Sequence, residues 1–66
     1  MGADQVQDFA YRLEMWDDRD AYVEELIALL ADHAVARAAF VEAVRRRPGK
    51  IIVLRQKSRV LADSRR

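Results

Sequence analysis

The spacing of apolar residues changes along this chain, and the change restricts the folds open to it. Residues 9–16 alternate between two sides, which is typical of a half-buried β-strand. From residue 21 onwards, apolar residues recur three and four positions apart, as they do along one face of a helix. Pro48 and Gly49 end this pattern, because neither residue continues a helix well. The first 47 residues therefore predict a strand followed by helical structure.

The helical segment, residues 21–47, is long for the strand that it would cover. A single helix of this length measures about 40 Å, whereas an eight-residue strand spans only about 27 Å. Asp32 fits the N-cap of a second helix, because its carboxylate can accept hydrogen bonds from free backbone N–H groups. We therefore predict a helical hairpin that breaks near residues 31–33. No glycine enforces the break, so one continuous helix stays the alternative.

Two short strands are predicted after the helices. Residues 51–54 are four consecutive aliphatic side chains, a run typical of a buried strand. The polar residues 55–58 can turn the chain into a third strand at residues 59–62, although this turn lacks the glycine of a common hairpin. The expected fold class is a small α+β domain of the order β-α-α-β-β. In it, a helical hairpin covers one face of a three-stranded, mainly antiparallel sheet.

One hydrophobic core is expected for the whole chain. Residues 1–66 form a single domain, and residues 1–8 and 63–66 are predicted to fray at its ends. The patterns assign to the core Phe9, Tyr11, Leu13, Val23, Leu26, Ile27, Leu30, Phe40, Val41, Val44, Ile52 and Leu54. On this assignment, replacing Leu26 with alanine would cost roughly 2–5 kcal/mol of stability.

Two segments of the chain resemble stretches of short bacterial proteins of unknown function. They are residues 11–18, with the sequence YRLEMWDD, and residues 52–64, with the sequence IVLRQKSRVLADS. The resemblance extends over most of the chain. Its motifs carry no chemistry, and it implies no activity.

The residues needed for catalysis are scarce. The chain has no Cys, Thr or Asn, one histidine (His33) and two serines, whereas nucleophilic catalysis needs a nucleophile, a base and an orienting group together. The acids near the end of the first strand lack the glycine and the bidentate glutamate of a calcium loop; they are Glu14, Asp17, Asp18 and Asp20. We expect no catalytic residue, no cofactor and no metal site, so the chain is not expected to be an enzyme.

Acidic and basic residues are segregated along the chain. Residues 1–33 carry a net charge of −7 and residues 34–66 a net charge of +8. Such asymmetry predicts either pairing between the halves or a basic binding face. The residues expected to contact a partner or phosphate groups are Arg45, Arg46, Arg47, Lys50, Arg55, Lys57 and Arg59. Trp16, on the polar side of the first strand, is expected either in an interface or packed over the helix start.

These features favour an interaction protein. A core this small, without disulfides, is marginal, and a second copy is its simplest supplement. We therefore expect a non-catalytic protein–protein interaction protein or accessory subunit that self-associates as a homodimer or joins a larger assembly. Nucleic-acid binding through the basic half is the alternative. No signal peptide or apolar run of about 20 residues is present, so we expect a cytoplasmic location and no membrane partner.

Overall fold

The computed structural model describes residues 10–19 and 22–65, which contain four strands and one helix. In chain order they are β1 (Tyr11–Trp16), β2 (Val23–Leu30), α1 (His33–Arg46), β3 (Ile51–Gln56) and β4 (Arg59–Asp63). The strands form one sheet in the order β2-β1-β3-β4, and every neighbouring pair is antiparallel. The expected α+β class is confirmed. The prediction of three strands and a helical hairpin is wrong, because residues 23–30 form a strand.

The topology explains why α1 lies on one side of the sheet. Both β2 and β3 run antiparallel to β1, which lies between them, so β2 and β3 are parallel to each other. Parallel strands need a crossover connection, and α1 supplies it. The helix has 14 residues and is about 21 Å long, which matches the length of a six-residue strand. The length mismatch that suggested a hairpin of helices therefore does not arise.

Two β-bulges in β2 account for the wrong helix prediction. The register with β1 shifts between Leu13 and Glu14 and again between Met15 and Trp16, and each shift gives β2 one extra residue. As a result, the β2 residues on the face away from α1 are Val23, Leu26 and Leu29, three positions apart instead of two. This spacing imitates the stripe of a helix. A strand with regular pairing would have shown alternation.

The ends of α1 follow the predicted signals. The carboxylate of Asp32 accepts hydrogen bonds from the backbone N–H groups of Ala34 and Val35, at 2.7 and 3.2 Å, which confirms Asp32 as an N-cap. The helix ends at Arg46, before Pro48, and Gly49 takes a positive φ of 79° that glycine adopts without strain. Pro48 and Gly49 therefore end the helix and let the chain turn into β3.

The core lies between α1 and the face of the sheet that it covers. Buried side chains from β1, β3 and α1 form it: Leu13, Ile52, Leu54, Ala36 and Ala43. Of the other predicted core residues, five pack against this cluster: Tyr11, Ile27, Leu30, Phe40 and Val44. The predicted core left out the two alanines, although they belong to the apolar stripe of the helical pattern and such small residues let a helix approach a sheet closely.

Two residues predicted in the core lie at the surface. Leu26 is 45% exposed because the first bulge turns it to the face away from α1, and Val41 is 66% exposed on the outer side of the helix. Val23 is half-buried on the same face as Leu26. Phe9 and residues 1–8 lie outside the described residues. The core therefore differs in membership from the predicted one, and part of the apolar sequence faces outwards.

The hairpin between β3 and β4 forms without glycine. Lys57 adopts the left-handed conformation, with a φ of 55°, at the start of a two-residue turn. Beyond β4, the hydroxyl of Ser64 accepts a hydrogen bond from the Ile52 N–H and donates one to the Lys50 carbonyl. The backbone N–H of Ser64 also donates to the Ile52 carbonyl, so residue 64 is tied to β3.

We expect Leu54→Ala to lower the free energy of unfolding by roughly 3 kcal/mol, since it empties a fully buried site. Leu26→Ala, measured at a concentration where the chain is monomeric, should cost less than about 1 kcal/mol, since its side chain is already largely hydrated. Urea denaturation of both variants tests this. Equal losses would contradict the assignment of Leu26 to the face away from the core.

Candidate interaction site on the open face of the sheet

The face of the sheet opposite α1, here called the open face, is made of three rows of side chains. The pairing of the strands fixes which residues stand side by side. The first row contains Leu29, Arg12, Arg55 and Val60; the second, Leu26, Glu14, Val53 and Asp63; the third, Val23, Trp16 and Ile51. The open face thus has an arginine end, at the first row, and a Trp16 end, at the third.

The first row places two like charges directly side by side. Arg12 and Arg55, here called the arginine pair, are opposite each other on β1 and β3. Opposed like charges on neighbouring strands are destabilising unless a counter-charge lies nearby. Glu14, in the next row, supplies that charge, and it is completely buried. The arginine pair and Glu14 therefore form one ion cluster, which extends from the arginine end to the middle of the open face.

Glu14 accepts four hydrogen bonds from three side chains. Arg55 binds it in a bidentate manner, from Nε to Oε1 at 3.0 Å and from an Nη atom to Oε2 at 2.6 Å. Arg12 donates from Nε to Oε2 at 2.9 Å, and the indole N–H of Trp16 donates to Oε1 at 3.1 Å. Both carboxylate oxygens are thereby saturated, which is what allows a charged group to be buried.

The electrostatics of the cluster favour the ionised carboxylate. Burial raises the pKa of Glu14, but hydrogen bonds from Arg55, Arg12 and Trp16 lower it further than burial raises it, so the pKa lies below the ordinary 4.5. The pKa of Arg55 is raised, mainly by its hydrogen bond to Glu14. The cluster consequently carries a net charge of +1, from two guanidinium groups and one carboxylate.

Apolar side chains surround the ion cluster and are open to solvent. Leu29 and Leu26 on one edge are 43% and 45% exposed, and Val60 on the other edge is 49% exposed. Val53, beside Glu14, is only 4% exposed although it belongs to no part of the core beneath α1. The arginine pair is partly exposed. The open face therefore combines a fixed charged centre with an accessible apolar rim.

The seven basic residues predicted to bind a partner or phosphate fall into two groups. Arg45, Arg46, Arg47 and Lys50 lie around the end of α1, whereas Arg55, Lys57 and Arg59 lie at the β3–β4 turn. The length of β3 separates the groups by roughly 17 Å. The structure therefore does not bring them together into one basic patch, and nucleic-acid binding stays a prediction without the continuous face that it would use.

Several of these basic residues already have acidic partners. Glu42 binds Arg45 and Arg46, and the Arg45 hydrogen bond followed by that of Arg46 lowers the pKa of Glu42 to about 2. Arg47, the residue after α1, forms an ion pair with Glu25 of β2. Lys50, Lys57 and Arg59 have no ion pair within the described residues; all three are exposed.

The remaining candidates are the histidine, the two serines and the acids weighed for catalysis or metal binding. The ring of His33 packs against that of Tyr11, with centroids 5.6 Å apart. No hydrogen bond joins His33 to Ser58 or Ser64 among the described residues. Within the same part of the chain, no three His, Cys, Asp or Glu side chains are grouped to hold a metal ion. No helix formed by the described residues has the length and apolar character of a membrane span.

The sequence contained part of the signal for this site. Strand alternation puts Arg12, Glu14 and Trp16 on the polar side of β1, and the structure has all three on the open face. Arg55 was predicted as a partner contact, but its place beside Arg12 depends on the β1–β3 register. Leu29 and Val60 were not predicted on this face. The bulges in β2 and β4 shift which residues face outwards, so simple alternation along the sequence does not identify them.

Comparison with known proteins does not identify the site. The chain matches no protein-family model, no curated protein and no solved structure. Any proposal about its function therefore rests on the geometry of the open face itself.

We expect Glu14→Gln to lower the free energy of unfolding by roughly 2–4 kcal/mol, because it leaves the arginine pair without its counter-charge. The loss is somewhat below that for a fully buried ion pair, since both guanidinium groups reach solvent. The matched control is Glu42→Gln, which removes an exposed carboxylate that also binds two arginines. Urea denaturation should show a clearly smaller loss of stability for the control. Equal losses of stability would contradict the proposal that the buried cluster stabilises the fold more than an exposed one.

The lowered pKa of Glu14 predicts an acid-sensitive fold. A carboxylate whose pKa is lower in the folded chain stabilises the fold above its unfolded pKa, and this stabilisation is lost as the pH falls through the folded pKa. Below about pH 4.5, the stability of the native sequence should therefore fall more steeply than that of Glu14→Gln. The comparison is made by urea denaturation of both chains over a pH series at about 0.5 M NaCl, which screens the exposed Glu42 pairs. Parallel stability–pH profiles of the two chains would refute the prediction.

Proposed function

We propose that the chain is a small, non-catalytic protein–protein interaction protein or accessory subunit, and that it self-associates through the open face. The observation that carries the proposal is the exposed apolar rim of Leu26, Leu29 and Val60 around a fixed ion cluster. Exposed apolar surface grouped on one face marks interaction sites more often than idle surface. Completing the burial of each of these side chains would contribute on the order of 1 kcal/mol.

The apolar pattern of β2 supports a covered open face. Residues 26–30 are five consecutive apolar residues, a run that is typical of strands buried on both faces. In the single chain, α1 covers one face of β2, and the leucines on the other remain nearly half exposed. A second sheet packed on the open face, at the usual spacing of about 10 Å, would complete the burial.

The size of the open face predicts a weak dimer. Four strands of about six residues span roughly 20 Å by 20 Å, or about 400 Å² in projection. A standard interface takes about 800 Å² from each partner. We therefore expect a dimer that dissociates in the micromolar range.

Charge selects one orientation for this dimer. The arginine pair lies at one end of the open face and Trp16 at the other. If two copies stacked with parallel strands, the two arginine pairs would face each other across the interface, which like charges disfavour. A two-fold axis perpendicular to the strands instead sets each arginine pair over the Trp16 end of the other copy. We take this antiparallel stack as the proposed dimer.

Sedimentation velocity over a concentration series from low micromolar to millimolar tests the proposal. Leu26→Lys, which removes an apolar contact in the middle row and sets two lysines near each other across the two-fold axis, should abolish self-association. The matched control is Val41→Lys, which makes the same change at a more exposed valine on the outer side of α1 and should leave self-association intact.

Three results would overturn the proposal. They are a sedimentation coefficient that does not change with concentration, an equal effect of both substitutions, and salt-sensitive binding of a random DNA duplex with no self-association. The third result, read by fluorescence anisotropy, would favour the nucleic-acid alternative.

A further inference from the structure

The arginine pair has hydrogen-bonding capacity that Glu14 does not use. Arg12 gives Glu14 only its Nε–H, and Arg55 gives its Nε–H and one Nη atom. Both Nη atoms of Arg12 and the second Nη of Arg55 have no partner among the described residues. A guanidinium has five N–H donors in a fixed fork, so the pair retains more donors than it spends.

The charge of the cluster indicates which ligand would fit. With a net charge of +1, one further carboxylate would leave the cluster neutral, whereas a phosphate dianion would leave a negative charge on a half-buried surface. Glu14 holds both guanidinium groups in place, so little side-chain entropy is lost on binding. Leu29 and Val60 flank the pair in the same row and reduce its access to water. These features match a carboxylate on an otherwise apolar protein surface.

The antiparallel stack would bring two acidic side chains near the arginine pair of the other copy. Beyond the third row, a cleft of about 130 Å³ is lined by Trp16 and Ile51 of the open face together with Asp18, Glu24 and Lys50. Asp18 is exposed in the turn that follows β1, and it has no ion pair within the described residues. In a two-fold dimer, each contact occurs twice.

We propose that the arginine pair is a binding site for a carboxylate, and that in the dimer its ligand is Asp18 of the second copy. The inference rests on the proposed function, because it names the contact that orients the self-associating chains. Arg12 and Arg55 act here as binding residues, and Glu14 positions them. The dimer thus carries two equivalent sites, each of which joins the arginine end of one copy to the Trp16 end of the other.

Substitution of the acids at the Trp16 end tests the identity of the ligand. Asp18→Asn should weaken the dimer about tenfold, because two partly exposed ion pairs are lost per dimer. Glu24→Gln, which neutralises a neighbouring acid in the same cleft, is the matched control and should leave the dissociation constant within about twofold. Adding Arg12→Gln to Asp18→Asn should weaken the dimer no further than Asp18→Asn alone, since the carboxylate that Arg12 would bind is already absent.

A separate titration tests the site without the dimer. The chain has one tryptophan, and its indole N–H donates to Glu14, so its single indole signal in a proton–nitrogen correlation spectrum reports on the cluster. In the monomeric range, sodium acetate should shift this signal more than sodium chloride of equal ionic strength, and Arg12→Gln should reduce the difference, since it removes one of the two guanidinium groups.

The outcomes separate the inference from the proposed function. Self-association that Asp18→Asn and Glu24→Gln affect equally would overturn the inference and leave the proposed function standing. A chain that stays monomeric would overturn the proposed function and, with it, Asp18 as the ligand. An indole signal that responds identically to acetate and chloride would overturn the carboxylate site, whatever the state of association.

Discussion

The carboxylate of Glu14 is the counter-charge on which the pairing of the two central strands depends. Without it, Arg12 and Arg55 would repel each other across the β1–β3 ladder. Apolar residues could fill the same space without any desolvation cost, so a buried ion cluster is a weak device for stability. The cluster favours the observed register instead, because a shift of β3 would move Arg55 away from both oxygens of Glu14.

The two bulges in β2 determine what the open face is made of. Each inserts a residue, and the outward positions thereby become Val23, Leu26 and Leu29. A regular strand would have sent Leu26, Ala28 and Leu30 to one side together. The bulges instead divide the apolar run, so that Ile27, Ala28 and Leu30 pack beneath α1 while two leucines face outwards. The apolar rim and the core are thus made from one short segment.

The features that the sequence predicted correctly depend on a few neighbouring residues, whereas the features that it did not predict depend on how the strands pair. The alternation of β1, the Asp32 cap and the Pro48-Gly49 stop are each encoded within a few residues, and the structure has all three. The strand at β2 is not encoded in this way, because a bulged strand and a helical stripe share a three-residue spacing. The same limit applies to the site. In the sequence, Glu14 is one of several acids near the end of β1. Only the register between β1 and β3 shows that Arg55 binds it.

The distribution of charge along the strands also supports the proposed dimer. Two ion pairs of the described residues join the acidic half to the basic half, from Glu14 to Arg55 and from Glu25 to Arg47. Others, such as those of Glu42, lie within one half. Asp18, Glu24 and Lys50 at the Trp16 end, and Lys57 and Arg59 at the arginine end, have no such pair within the described residues. These charges lie at opposite ends of the strands, so one chain cannot bring them together. The proposed antiparallel stack would set Asp18 and Glu24 of one copy over the arginine end of the other, and it uses the same face that carries the exposed leucines. The exposed leucines and the charges without a partner are different residues, and both favour the proposed antiparallel dimer.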